Sequence, residues 1–169
     1  MAIIDNVSSL THAHKRSVMA CGIYISIAFR LLDGEAVEKA VSKGLAKAVS
    51  YYKKKEDCKA ELHHFQRILE PGFKELPESQ IRSSGYVVDT LEAALWCLLN
   101  TDSFKECVLK AVNLGEDTDT VAAVAGGLAG IHYGYKSIPH EWLDQIVKKE
   151  LIVEICEQLS RKIYGKSRE

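Results

Sequence analysis

Leu114-Gly115-Glu116-Asp117-Thr118-Asp119-Thr120 runs directly into Val121-Ala122-Ala123-Val124-Ala125-Gly126-Gly127-Leu128-Ala129-Gly130. The second half decides the local fold: Val121, Val124, Ala125, Leu128 and Ala129 recur with the spacing of one helical face. The first half sets two carboxylates and two threonine hydroxyls in four consecutive positions at the start of that helix. Gly115 can end a preceding helix in the left-handed conformation. Asp117 then stands at the N-cap, where accepting a first-turn amide is worth about 0.5–2 kcal/mol. Asp119, inside the first turn, gains from the helix dipole. Capping asks neither for Thr120 nor for three glycines in a helix interior, each costing about 1 kcal/mol relative to alanine. Gly126, Gly127 and Gly130 therefore predict a close approach by another backbone. Asp and Thr oxygens at i, i+2 and i+3 also suit a hard cation such as Mg²⁺. On the residues alone, cap and cation site stand as equal readings.

Working outward, helical patterns account for most of the chain. His14 to Leu32 is apolar almost all round and predicts a central, buried helix. Asp33-Gly34 interrupts it, and Val37, Ala40, Val41, Gly44, Leu45, Ala48, Val49 and Tyr52 then share one stripe. Glu56 to Leu69 keeps Cys58, Leu62, Phe65 and Leu69 in phase as a further helix, and Pro71-Gly72 and Pro77 mark a loop up to Gly85. Asp89 with Glu92, and Ser103 with Glu106, have capping-box spacing ahead of two more helices. Pro139 is placed at the N1 position of a short helix through Lys148. Ile152, Ile155, Cys156, Leu159 and Ile163 complete the fold, with a polar tail after Gly165. No stretch alternates with period two for long enough to build a sheet. The expectation is one all-α domain over 1–169, a compact orthogonal multi-helix bundle.

Lys+Arg 22 against Asp+Glu 23 leaves a formal charge of -1 over 169 residues. That balance gives no electrostatic footprint for nucleic acid. Lys53-Lys54-Lys55, the basic run, reads as a solvated helix end. No apolar run reaches the length of a membrane span, and the N-terminus lacks a signal-peptide layout. Five cysteines form no CxxC pair and fall mostly on apolar faces, which points to reduced thiols and a cytoplasmic setting. His14, His63, His64, His132 and His140 have no zinc-like partnership with cysteine.

Three segments, in this order, carry a resemblance: Ser9-Leu10-Thr11-His12, Ser84-Gly85-Tyr86-Val87-Val88-Asp89-Thr90-Leu91-Glu92-Ala93-Ala94-Leu95-Trp96, and Gly115-Glu116-Asp117-Thr118-Asp119-Thr120 with its glycine-rich helix. Together they resemble the ADP-ribosylglycohydrolase family, which includes ADP-ribosylarginine hydrolases and the dinitrogenase reductase activating glycohydrolase. The resemblance covers nearly the whole chain and implies an all-α fold. It also implies magnesium-dependent hydrolysis of the N- or O-glycosidic bond of ADP-ribosylated substrates.

Carried over by position, Asp117, Asp119 and Thr120 match the family's C-terminal ligands of a binuclear magnesium centre beside the distal ribose, and both aspartates are its catalytic candidates. His12 matches a histidine near the ADP-ribose phosphates, where an imidazole can donate to phosphate oxygen; an N-terminal capping role is the competing reading. Gly85 and Tyr86 match a pocket-lining loop, and an ordinary core tyrosine is the alternative there. Asp89 reads as a helix cap, and Trp96 and Trp142 as core or interface residues.

The family's N-terminal glycine-rich opening and Thr-Asp-Asp triplet have no counterpart here, so the chain resembles the C-terminal half of such an enzyme. Three aspartate and threonine side chains underfill a two-ion centre. The expectation is therefore weak or no magnesium binding and little hydrolysis by this chain alone. Completion by an N-terminal-half partner or by homodimerisation follows, with ADP-ribose or ADP-ribosylated protein as ligand. A non-catalytic ADP-ribose-binding remnant and a structural, crystallin-like remnant remain as alternatives.

Overall fold

The computed structural model describes residues 1–165; the polar tail expected after Gly165 lies outside the described residues. Among these, helices and turns account for all regular structure and no strand occurs, as the sequence predicts. In chain order the helices are α1 (Ala2–Ser9), α2 (Lys15–Leu32), α3 (Val37–Tyr52), α4 (Glu56–Lys59), α5 (Val87–Leu99), α6 (Phe104–Asn113), α7 (Thr118–Tyr133), α8 (His140–Leu143) and α9 (Lys149–Tyr164). Two compact units result, one from Met1 to Ser137 and one from Ile138 on.

In the first unit the helix buried all round is α5, where Val88 and every residue from Thr90 to Leu98 is buried. The sequence assigns that place to α2, yet Phe29 and Leu32 of α2 are 56% and 67% exposed. Both helices are apolar and both are packed by several neighbours; α2, α3, α6 and α7 bury α5 along nearly its whole length, whereas the C-terminal turn of α2 leaves Phe29 and Leu32 uncovered. Two glycines let α2 and α3 meet. A Cβ on Gly22 would lie 1.9 Å from the Tyr52 hydroxyl oxygen, and one on Gly44 2.8 Å from the Ile27 backbone. The Tyr52 hydroxyl donates within reach of Asp5 Oδ1 (2.8 Å) and the Val18 carbonyl (3.1 Å). Asp5 also accepts from Tyr51 at 3.0 Å and from Lys55 at 2.6 Å, so a buried carboxylate ties α1 to α2 and α3. Burial pushes its carboxyl up, but the hydrogen bonds from Lys55, Tyr52 and Tyr51 outweigh that and hold it below its ordinary value.

The stretch predicted as one helix from Glu56 to Leu69 is instead α4 followed by two 3₁₀ turns, Leu62–Phe65 and Arg67–Leu69. Its apolar residues are too sparse to bury a continuous stripe; Cys58, Phe65 and Ile68 are buried while Leu69 is exposed. Ser103 caps α6 as expected, accepting the Glu106 amide at 3.2 Å, while Glu106 reaches back to the Asp102 amide. The Asp89–Glu92 pair does not cap α5, which starts earlier, with Tyr86 at the N-cap. Asp89 accepts the Ser84 hydroxyl at 2.6 Å, and Glu92 is buried inside the core.

In the second unit Pro139 is the N-cap of a single-turn α8 rather than the N1 residue of a helix reaching Lys148. Lys148 takes the left-handed conformation (φ 58°) and starts α9. Ile152, Ile155, Leu159 and Ile163 share a face of α9, and each is exposed, as is Cys156.

Candidate functional site

The acidic cluster begins where α6 ends. Gly115 (φ 89°) and Glu116 (φ 54°) take successive left-handed conformations and reverse the chain. A non-glycine residue there costs of order 1 kcal/mol and has to be held by its surroundings. The holding group is Ser83, buried, whose hydroxyl donates to the Gly115 carbonyl at 3.0 Å while its own carbonyl accepts the Asp117 amide at 3.0 Å. The loop entering α5 and the loop entering α7 are thereby stitched together.

Asp117 occupies the N-cap of α7 but its carboxylate accepts no helix amide. Oδ1 accepts the Thr120 hydroxyl at 2.9 Å. Oδ2 lies 2.9 Å from where a Cβ on Gly85 would stand, so the α5 loop approaches the carboxylate as closely as a residue without a side chain permits. The helix-cap reading thus fails for the side chain: the position is that of a cap and the oxygens point elsewhere. Asp119, one residue into the helix, is exposed and makes no hydrogen bond or ion pair among the described residues.

Gly85, Tyr86, His12 and Thr120, singled out from separate parts of the chain, line one groove of about 540 Å³ in the first unit. His12 stands exposed on the turn between α1 and α2; the helix-capping histidine is His14, whose Nδ1 accepts the Arg16 amide at 3.2 Å. Tyr86 is partly exposed at the rim, so the core-tyrosine reading does not hold. Along α2, α5 and α7 the groove continues into an apolar hollow of about 230 Å³ lined by Ala20, Tyr24, Ile25, Leu91 and Val124. The glycines of α7 serve side chains and not a second backbone: a Cβ on Gly127 would meet the Tyr24 hydroxyl at 2.3 Å, and one on Gly126 would meet Val108 at 3.4 Å.

The motif-based reading missed Arg16. Its Nε pairs with Glu61 at 2.6 Å and its Nη1 donates to the Tyr86 hydroxyl at 3.2 Å, with the guanidinium 5.9 Å from the Tyr86 ring centre. The hydrogen bond from Arg16 is the main cause holding the Glu61 carboxyl below its ordinary value. His64, 3.4 Å from Glu61, is pushed down by burial and then by the Arg16 charge, which favours its neutral form. The sequence carried one signal: Lys15-Arg16 opens a helix, an end where the dipole disfavours cations.

Whether the donors fit magnesium can be judged from their spacing. Ligand oxygens about 2.1 Å from an octahedral ion and at right angles are about 3.0 Å apart. Asp117 Oδ1 and Thr120 Oγ1, 2.9 Å apart, have the spacing of one edge of such a shell. Hard oxygen donors fit the ion type. Among the described residues, however, no group of three or more His, Cys, Asp or Glu is disposed to hold a metal. The set fits one edge of one ion and falls short of two ions.

Comparison with known proteins gives one family. A model described as ADP-ribosylglycohydrolase matches residues 1–169. An ADP-ribosylarginine hydrolase of Serratia proteamaculans is 40% identical over 156 residues, covering 92% of this chain and 39% of the relative. Its namesake in Pseudomonas putida is 37% identical over 153 residues, covering 90% and 38%. A solved structure titled an ADP-ribosylglycohydrolase-related protein complex superposes with TM-score 0.76 at 30% identity, covering 93% of this chain and 51% of that one. The chain spans about two fifths of the length of the curated relatives it matches.

Proposed function

The chain belongs to the ADP-ribosylglycohydrolase family, and from that premise we propose that it forms the cation- and ribose-facing part of a hydrolase that releases ADP-ribose from protein side chains. Arginine is the acceptor we favour, because the relatives at 40% and 37% identity are named for ADP-ribosylarginine. The observation that carries the reading is the carboxylate of Asp117. It sits at a helix start, declines the amides it could cap, and turns to Thr120 beside a groove.

In this reading Asp117 and Thr120 hold one magnesium ion, with Asp119 adjacent on the same turn. When bound, the ion supplies Lewis-acid polarisation and orientation of hydroxyl oxygens. Gly85 lets ribose approach the carboxylate, Tyr86 packs on the ligand from the rim, and His12 donates to its anionic part. Two carboxylates do not neutralise two divalent ions, so a binuclear centre draws further donors from polypeptide beyond these residues, whether a linked segment, a partner or a second copy. Five cysteines without disulfides suit the cytoplasm, and among the described residues no helix is long and apolar enough to cross a membrane.

The test is calorimetric titration of ADP-ribose with and without magnesium, together with ADP-ribose release from an ADP-ribosylarginine peptide. Magnesium-enhanced binding lost in Asp117→Ala is expected, with turnover appearing only when the remaining carboxylates are supplied. Binding that ignores both magnesium and Asp117 refutes the proposal. The shortage of carboxylates favours a second reading, binding without hydrolysis, which predicts no turnover even in the completed assembly.

A further inference from the structure

Arg16 is the charged side chain among the residues lining the groove, where two imidazoles and several hydroxyls join it and no carboxylate does. Its anchoring is asymmetric. Glu61 takes Nε in a short ion pair, the strong kind for a guanidinium. The Nη1 bond to Tyr86 is long for a charged donor, and Nη2 has no partner among the described residues. The guanidinium is therefore aimed by Glu61 and left with donors to offer. Thr120, whose hydroxyl donates to Asp117, lines the same groove as Arg16, His12 and His14, so one ligand can meet both the hydroxyl beside the carboxylate and the anion-binding side chains.

We infer that Arg16 is a positioning residue that engages the diphosphate of an ADP-ribosyl ligand, exchanging its bond to Tyr86 for the anion while Glu61 keeps it in place. The inference rests on the functional reading above. A guanidinium presents planar paired donors that match phosphate oxygens, and an ammonium does not. Releasing Tyr86 also frees its ring to settle on the ligand, so anion contact and ring contact are made together.

The experiment titrates the full chain with ADP-ribose and, separately, with adenosine, which has no phosphate. Loss of a charge-assisted hydrogen bond weakens binding about 10- to 100-fold. Arg16→Met is expected to lose that much affinity for ADP-ribose and none for adenosine, with Arg16→Lys between. Glu61→Gln removes the charge that aims the guanidinium but keeps the guanidinium itself, and is expected to lose less ADP-ribose affinity than Arg16→Met and none for adenosine. Equal losses for both ligands in Arg16→Met, or no loss for either, overturn the inference, as does a Glu61→Gln loss as large as that of Arg16→Met. Wild-type protein that binds neither ligand refutes the functional reading itself, and this inference with it.

Discussion

Replacing Gly22 by alanine tests how firmly the first three helices are locked. The new methyl would lie 1.9 Å from the Tyr52 hydroxyl oxygen and 2.8 and 2.9 Å from two ring carbons, where ordinary contact begins at 3.4 Å. Tyr52 is fully buried, and its hydroxyl is tied to Asp5 and Val18, so it cannot yield cheaply. Overpacking of this kind costs about 1–3 kcal/mol. Dragging the hydroxyl off a charged acceptor costs about 1.5–3 more, and the better helix propensity of alanine returns about 1. The expected net loss is about 1.5–5 kcal/mol, read from urea unfolding followed by circular dichroism at pH 7. Tyr52→Phe alone is expected to cost about 1.5–3 kcal/mol by the same bond. In the double variant the hydroxyl is lost once, so the combined cost falls short of the sum by about 1 kcal/mol or more. Additivity within about 0.5 kcal/mol, or a stabilised Gly22→Ala protein, refutes the reasoning.

Asp117→Ala is expected to cost less stability than Ser103→Ala, about 0.5 against about 1 kcal/mol, because Ser103 caps an amide and Asp117 does not; equal costs in thermal unfolding return Asp117 to a capping role. Glu92 is pushed up to about 7 by burial against an ordinary 4.5, with Arg67 at 3.8 Å lowering it only in part. A carboxyl raised in the folded state gives stability that is full below its unfolded value and lost as pH rises to about 7, up to about 3 kcal/mol. Glu92→Gln should abolish that decline between pH 5 and 8, measured as the urea midpoint against pH, and an unchanged profile sinks the assignment. Asp5 is the opposite case: its carboxyl is held low, so its contribution is present above the ordinary carboxylate range of about 4 and is lost as pH falls further. Asp5→Asn should flatten the acid limb of the same profile.

The helical class, the spans of α2 and α3 and the starts of α6 and α7 were legible because their apolar spacing runs for several turns. The segment from Glu56 to Leu69 was not, since four residues in phase do not show whether a neighbour exists for them to face. The rank of α2 and α5 was illegible for a related reason: both are apolar, and only the packed arrangement decides which is wrapped. At the site, the gathering of His12, Gly85, Tyr86 and Thr120 followed from the family motifs. Arg16 and Ser83 did not, because their roles arise from partners at Glu61, Tyr86 and Gly115 that no local pattern announces.

The bare α-carbon at position 85 bears on the acid beside it. A methyl there would stand 2.9 Å from the outer carboxylate oxygen of the neighbouring acid, close enough that the carboxylate has to shift. Glycine at this position therefore lets the carboxylate keep its present aim at its threonine while the neighbouring loop passes beside it.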